Sequence, residues 1–238
     1  MSIEERTALL LGAEGVARLR RAHVILFGVG GVGSYTAEAL ARAGVGRLTI
    51  VDADVVADSN RNRQLIALCS TVGLPKAEVA AARIADINPD CRVRAVRLFY
   101  TPETADQIDF SDADYIVDAV DTVTAKLEIL ARAQAAGVPV LSCMGTGNKL
   151  HPELLRLTTL EKTEGCPLAR VMRAECRRRG IRGVTVVYSA EPPRRCTVPD
   201  TEGTGRHAPG SVSFVPGAAG LIAAGRVVRD LAGIEPES

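Results

Sequence analysis

The sequence predicts an α/β chain: a Rossmann-like, mostly parallel sheet with helices on both faces, continued by antiparallel strands in the C-terminal half. Three observations predict it. An apolar run, Val24-Ile25-Leu26-Phe27, enters Gly28-Val29-Gly30-Gly31-Val32-Gly33 and is followed by an amphipathic segment and a second apolar run that stops at Asp52. Short apolar runs then alternate with helical patterns as far as residue 142, the order that yields parallel strands joined by crossover helices. From Gly145 the pattern changes to strands separated by charged, Gly- and Pro-containing loops.

Residues 2–21 space Leu9, Leu10, Leu11, Val16 and Leu19 as one or two short helices would. Val24–Phe27 is the first strand. The glycines after it allow a tight turn and close approach to a phosphate, and the next helix begins with amides that have no internal partner. Leu48–Val51 is the second strand, Ala53–Asn60 a loop rich in Asp and Asn, and 62–70 a short helix. Pro75 suits the first position of a helix to about Ile87, since its missing N–H costs nothing there. Asn88-Pro89 closes that helix and Arg92–Leu98 alternates like a strand. Ala113–Val117 is a further apolar strand, 124–136 a helix stopped by Gly137, and Val138–Ser142 a central strand.

In the second half, Leu154–Leu160 reads as a strand and Glu161–Cys166 as a loop. Pro167–Arg179 is a basic helix ended by Gly180, and Val184–Tyr188 a strand. Residues 189–210 form a long loop, Ser211–Val215 a short strand and Ala218–Leu231 the last helix. With no repeat and no linker, 1–238 reads as one domain. Its 22–142 part is expected to bind a nucleotide and its 143–238 part, with the basic helix and long loop, to serve substrate binding and dimerisation.

Composition narrows the classes. The chain has 238 residues, 47% hydrophobic, enough for one sizeable core. With 29 basic against 28 acidic residues it carries no global field for nucleic acid, but nine arginines face four acids across 170–206. Six cysteines make no C-x-x-C pair, which argues against a zinc ribbon or a dithiol motif. The N-terminus MSIEERTALL lacks the basic and apolar regions of a leader. Val212–Val228 is interrupted by Pro216 and Arg226. A soluble cytoplasmic protein with no membrane association is expected.

The chemistry lies around the glycine turn. Asp52 stands where a strand-end carboxylate accepts from both ribose hydroxyls of an adenosine. Asn60, Arg63 and Gln64 follow closely, and Lys76 after the intervening segment. A hydride donor gains little from added cations at its phosphates. A site that breaks the bond between α- and β-phosphates gains much, because charge builds on departing pyrophosphate. Asp121, at another strand end, suits Mg2+ on a triphosphate or, alternatively, a helix N-cap. Asp118 suits local capping better, and Asp54 and Asp58 read as loop carboxylates. Cys166 precedes a Pro at a helix start, where a thiol pKa can be lowered; Cys196 lies in the long loop. For both, a thiol with no chemical role is the competing reading.

Gly28-x-Gly30-Gly31-x-Gly33, Asp52-x-Asp54, Ser59-Asn60-x-Asn62-Arg63-Gln64, Lys76 and Asp121 together resemble the adenylating enzymes of the ubiquitin-activating (E1-like) superfamily. The resemblance implies the E1-like adenylation fold, with ATP and Mg2+ as cofactors. It implies that Asp52, with Asp54 in its motif, serves the ribose side and that Asn60, Arg63 and Lys76 contact phosphates. Gln64 would support their loop, Asp121 would bind Mg2+, and Arg6 would reach across a homodimer into the neighbouring site. The second half lacks the zinc-binding C-x-x-C pairs of the sulfur-carrier activators. Gly145-Thr146-Gly147-Asn148-Lys149, Lys162–Arg173, Val187–Pro192 and Gly210–Pro216 instead resemble the tRNA threonylcarbamoyladenosine dehydratase branch.

That branch implies adenylation of a carboxylate on N6-threonylcarbamoyladenosine of tRNA, followed by ring closure. The basic patch offers tRNA phosphate contacts through Arg170, Arg173, Arg177, Arg178, Arg194 and Arg195. Two other readings stand beside it. One is an activator of a ubiquitin-like sulfur carrier, in which Cys166 or Cys196 takes part in transfer. The other is a nucleotide-gated scaffold serving a cysteine desulfurase and its sulfur acceptor.

Overall fold

The computed structural model describes residues 3–194 and 209–234. Within them one sheet is built from β1 (His23–Phe27), β2 (Arg47–Val51), β3 (Arg92–Val96), β4 (Tyr115–Asp118), β5 (Val140–Cys143), β6 (Leu155–Thr159) and β7 (Thr185–Ser189). Their spatial order is β3-β2-β1-β4-β5-β7-β6. Neighbours are parallel except β6 and β7, which run antiparallel. The α/β class with an antiparallel extension is therefore as expected. The chain adds β2 and β3 on one side of β1 and β4 and β5 on the other, so the order reverses between β1 and β4. Ligands of open α/β sheets bind at such a reversal. Phe27 pairs with both Val51 and Asp118, which brings three strand ends level.

Strand alternation explains the two covered faces. Val24 and Leu26 point to a core shared with Leu19, Leu40, Ile84 and Val227, from α1 (Glu5–Arg21), α2 (Gly33–Arg42), α3 (Lys76–Ile87) and α6 (Phe214–Ala232). Ile25 and Phe27 point the other way, onto Ile129 and Ala133 of α4 (Val123–Ala136). The helix α5 (Pro167–Arg179) adds Met172 and Cys176 to Leu127, Leu130 and Val186. Each Val, Leu, Ile, Phe or Met side chain so withdrawn from water contributes about 1.5–3 kcal/mol. Gly137 and Gly180 end α4 and α5 in the left-handed conformation that suits glycine.

Two local expectations need correction. Residues 62–70 do not form a continuous helix, only turns and the start of a 3-10 helix at Cys69–Thr71: the Ser34 hydroxyl accepts from the Leu65 N–H at 3.1 Å and Thr71 Oγ1 donates to the Ile66 carbonyl at 2.8 Å, so side chains take over part of the helical ladder. Ser211–Val215 is not a strand, because α6 already starts at Phe214. Pro216 is tolerated in that helix's first turn, and Gly220 lets α6 press onto α2, with Thr36 Oγ1 donating to the Gly220 carbonyl at 3.1 Å. The N-terminal helix is broken by Gly12, at φ 73°. No helix among the described residues is long and apolar enough to cross a membrane.

Candidate active site

The carboxyl ends of β1, β2, β4 and β5 open into a cleft of about 630 Å³. The second half closes one wall with Thr146, Gly147, Pro209, Ser211 and Pro216. Of the glycines in the turn, Gly28 takes φ +83°, and a side chain there would press on the Ala119 carbonyl. A side chain on Gly33 would drive into the carbonyl of Gly28, and one on Gly31 would come within 3.1 Å of Pro216. Gly30 differs. A Cβ there would find only the Gln64 amide, at 3.7 Å, so the missing side chain leaves room in the cleft itself.

Asp52 follows β2 directly. One carboxylate oxygen accepts the Val29 N–H at 2.8 Å and the other the Asp54 N–H at 2.9 Å, which ties the acid to the glycine turn. The Lys76 ammonium, buried at the start of α3, donates to Asp54 Oδ2 at 2.7 Å. The reading of Asp54 as plain loop solvation is therefore wrong: it is the counterion that holds Lys76 against the cleft. Arg63 donates to the Ser59 carbonyl at 3.0 Å and to Asn62 Oδ1 at 2.9 Å, and also lines the cleft. Asn60 is buried, its side-chain oxygen accepting the Ala57 N–H at 3.1 Å, and so shapes the loop that carries Arg63.

Gln64 Oε1 and the Tyr100 hydroxyl are buried, line the cleft and have no hydrogen-bond partner among the described residues. Burial pushes the Tyr100 hydroxyl up to about 12, so it remains a donor at neutral pH. A polar ligand would satisfy both. Asp121 is exposed on the cleft. Among the described residues no cluster of three His, Cys, Asp or Glu could enclose a metal ion. One carboxylate completed by phosphate oxygens and water is the usual way to hold Mg2+ on a nucleotide, and Asp121 fits that donor set.

Asp118 does accept the Val120 N–H at 3.2 Å, a local cap, but its main partner is Lys126, whose ammonium lies 3.0 Å away. The sequence reading missed Lys126, Ser142 and Tyr100. A lysine inside the apolar run of α4 was the available signal for Lys126.

Arg170 and Arg177 are exposed on α5, and Arg178 is exposed but donates to Glu175 at 2.6 Å. Arg173 is not free for RNA: its guanidinium donates to the Thr163 carbonyl at 2.6 Å and also bonds the Thr163 hydroxyl. Arg194 is exposed, its backbone N–H donating to the Asn148 carbonyl at 2.9 Å. Arg6 is exposed on α1 and does not line this subunit's cleft. Cys166 is buried in the α4–α5 core, so the reactive-thiol reading finds no exposed sulfur there. Cys143 lines the cleft, but burial pushes its thiol up to about 12. Arg195 and Cys196 lie outside the described residues.

The sequence model of the ThiF family matches residues 4–238. The chain belongs to that family. Within it, the chain is 45% identical over 236 residues to a tRNA threonylcarbamoyladenosine dehydratase of Bacillus subtilis (strain 168), covering 95% of this chain and 93% of that protein. It superimposes on the Escherichia coli tRNA N6-threonylcarbamoyladenosine dehydratase, TcdA, in complex with ATP with a TM-score of 0.83 at 34% identity, covering 96% of this chain and 93% of that one. The same Escherichia coli enzyme in complex with AMP gives a TM-score of 0.85 at 35% identity, with the same coverage. These matches span both halves of the chain.

Proposed function

We propose that this chain is an ATP-dependent dehydratase that cyclises N6-threonylcarbamoyladenosine at position 37 of tRNA through adenylation of its carboxylate. The observation that carries the reading is the end-to-end match to dehydratases, over 95% of this chain, around a cleft whose orphaned polar groups and cations suit a nucleotide. Residues 22–142 seat ATP, and residues 143–238 meet the tRNA and the second subunit of a homodimer, across which Arg6 serves the partner's cleft. The protein acts in the cytoplasm, where its tRNA substrate is.

Each residue has a task. Gly30 admits the phosphates, Asp52 holds the ribose, and Arg63 and Lys76 stabilise the charge that grows on departing pyrophosphate. Asp121 would hold Mg2+, which neutralises phosphate charge when bound. The threonyl carboxylate attacks the α-phosphate, forming an acyl-adenylate and releasing pyrophosphate. An internal nucleophile of the tethered carbamoyl group then attacks the activated carbonyl and expels AMP, closing a five-membered ring; the carbamoyl proton passes to solvent and the carboxyl oxygen lost from the nucleoside leaves on AMP. Because that nucleophile is already attached, at high effective molarity, no enzyme nucleophile is needed. The burial of Cys166 and the raised thiol of Cys143 accord with this.

The test is AMP formation from ATP with tRNA that carries the threonylcarbamoyl group, compared with the same tRNA after its carboxylate is converted to an amide. The expected result is one AMP per cyclised nucleoside with the first and none with the second. Equal AMP from both, or AMP only on adding a ubiquitin-like carrier protein, would overturn the reading.

A further inference from the structure

One charged group has no part in these steps. Lys126 is fully buried in α4, beneath the cleft rather than in it. Its ammonium lies 3.0 Å from Asp118 Oδ2, 3.4 Å from Ser142 Oγ and 2.6 Å from the Cys143 carbonyl. The Ser142 hydroxyl donates to the same Asp118 oxygen at 2.5 Å. Asp118 and Ser142 are also fully buried. An ammonium has three donors, and here each has an oxygen.

Stability is a poor account of this unit. Taking two charges out of water usually costs as much as their attraction gives back, and an apolar group of equal volume often stabilises a fold as well. What the unit touches is more informative. Asp118 is the last residue of β4, and its second oxygen accepts the Val120 N–H, which sets the turn that carries Asp121. From the other side the ammonium grips Cys143 at the end of β5, next to Met144 and Gly145 of the cleft wall. The Ala119 N–H donates to the Phe27 carbonyl at 2.8 Å, so the same turn is also tied to the strand that feeds the glycine loop. A single cation fixes two strand ends and the turn between them.

We propose that Lys126, through Asp118 and Ser142, is the positioning residue for Asp121, holding its carboxylate in register with the glycine loop so that it meets a divalent cation on the nucleotide's phosphates. The inference rests on the ATP reading of the cleft. Lys126 touches neither nucleotide nor tRNA; it acts through the turn.

The test uses the full chain and two readouts: ATP affinity by calorimetry with and without Mg2+, and AMP formation with the threonylcarbamoyl-bearing tRNA. Asp121→Ala defines complete loss of the Mg2+-dependent gain in affinity. Lys126→Met keeps the side chain's length and drops its charge. It should bind ATP without Mg2+ as the parent does, yet lose roughly 10- to 100-fold of the Mg2+-dependent gain, the usual effect of removing a group that orients a metal ligand. Its kcat should fall while KM for tRNA stays put. Asp118→Asn combined with Lys126→Met leaves no buried charge unpaired and retains an oxygen for Val120, so it should recover part of the gain. A folded Lys126→Met with the parent's full gain overturns the proposal. Should that variant not fold, Ser142→Ala decides: a severalfold loss of the gain supports the proposal, and an unchanged gain overturns it. Absence of ATP binding or AMP formation in the parent itself removes the functional reading first and the proposal with it, and the parent's own traces tell that failure apart.

Discussion

The Lys76 ammonium stands 2.7 Å from Asp54 Oδ2, with the lysine side chain 7% exposed and the aspartate 64% exposed. A buried cation is thus aimed at the cleft by an acid that remains in water. An exposed partner gives little net stabilisation, so the pair can yield to a phosphate at small cost. Lys76→Met is expected to lower kcat for AMP formation by about 10²–10³-fold, the usual loss when one group facing developing charge is removed. Asp54→Asn should raise KM for ATP with a smaller effect on kcat, because it loosens the cation without deleting it. Steady-state kinetics at saturating tRNA separates the two, and a Lys76→Met enzyme at parental kcat would remove Lys76 from the mechanism.

The arginines of α5 divide by what they touch. Arg170 and Arg177 are exposed, whereas Arg173 is fastened to Thr163. Arg170→Ala and Arg177→Ala are each expected to weaken tRNA binding and to reduce the slope of log affinity against log salt by about 1 for each phosphate no longer neutralised. Arg173→Ala should instead lower the melting temperature, since it strips donors from a buried threonine at the foot of the helix. Filter binding across a salt series, with thermal melts alongside, checks all three. An Arg177→Ala protein with an unaltered salt slope would show that the RNA lies elsewhere.

The contrast between those arginines marks how far the sequence was legible. Spacing showed α5 and its Gly180 stop to the residue, because an apolar stripe and a left-handed glycine are local signals. Spacing could not show that Arg173 turns inward, since Thr163 reaches it only through the packing of α5 on the loop before it. The turn at 62–70 failed for the same reason: the groups that replace the helical bonds include Ser34, far away in the chain. Apolar runs placed the strands within one or two residues, and the glycine turn placed the cleft. Tyr100 and Lys126 join the site's surroundings from outside any motif. Only the sheet order brings Tyr100, after β3, into the crevice and Lys126, inside α4, beneath it.

Buried thiols, together with the raised Tyr100 and Tyr115 hydroxyls, are expected to make stability fall at alkaline pH. Burial pushes Cys91 and Cys176 up to about 11 and Cys143 up to about 12, from 9.0. Below pH 9 both folded and unfolded chains keep these protons. Above it the unfolded chain releases them first, so the folded state binds more protons and stability falls as pH rises towards the folded values. Each thiol adds at most about 1.4 kcal/mol per pH unit to that fall. Thermal melts between pH 8.5 and 10.5 should show the decline, and Cys91→Ala with Cys176→Ala should flatten it. A double variant with the parent's pH dependence would assign the decline to other groups.

Two glycines of the turn, Gly33 and Gly30, should respond oppositely to one methyl group. At Gly33 an added Cβ has nowhere to go except the Gly28 carbonyl, which is backbone and cannot swing aside. Gly33→Ala is therefore expected to unfold the turn and the start of α2, visible as a lower melting temperature with or without nucleotide. At Gly30 the added Cβ meets only a flexible amide at 3.7 Å, and the backbone is not in the left-handed region. Gly30→Ala should leave the apo protein as stable as the parent or stabilise it by about 0.4–1 kcal/mol, through the stiffer unfolded chain. The same methyl occupies the floor of the cleft where phosphates must approach the backbone. ATP affinity and AMP formation should then collapse in a protein that melts normally. If Gly30→Ala binds ATP as the parent does, the phosphates do not lie on this turn, and the roles given to Arg63 and Lys76 fail with it.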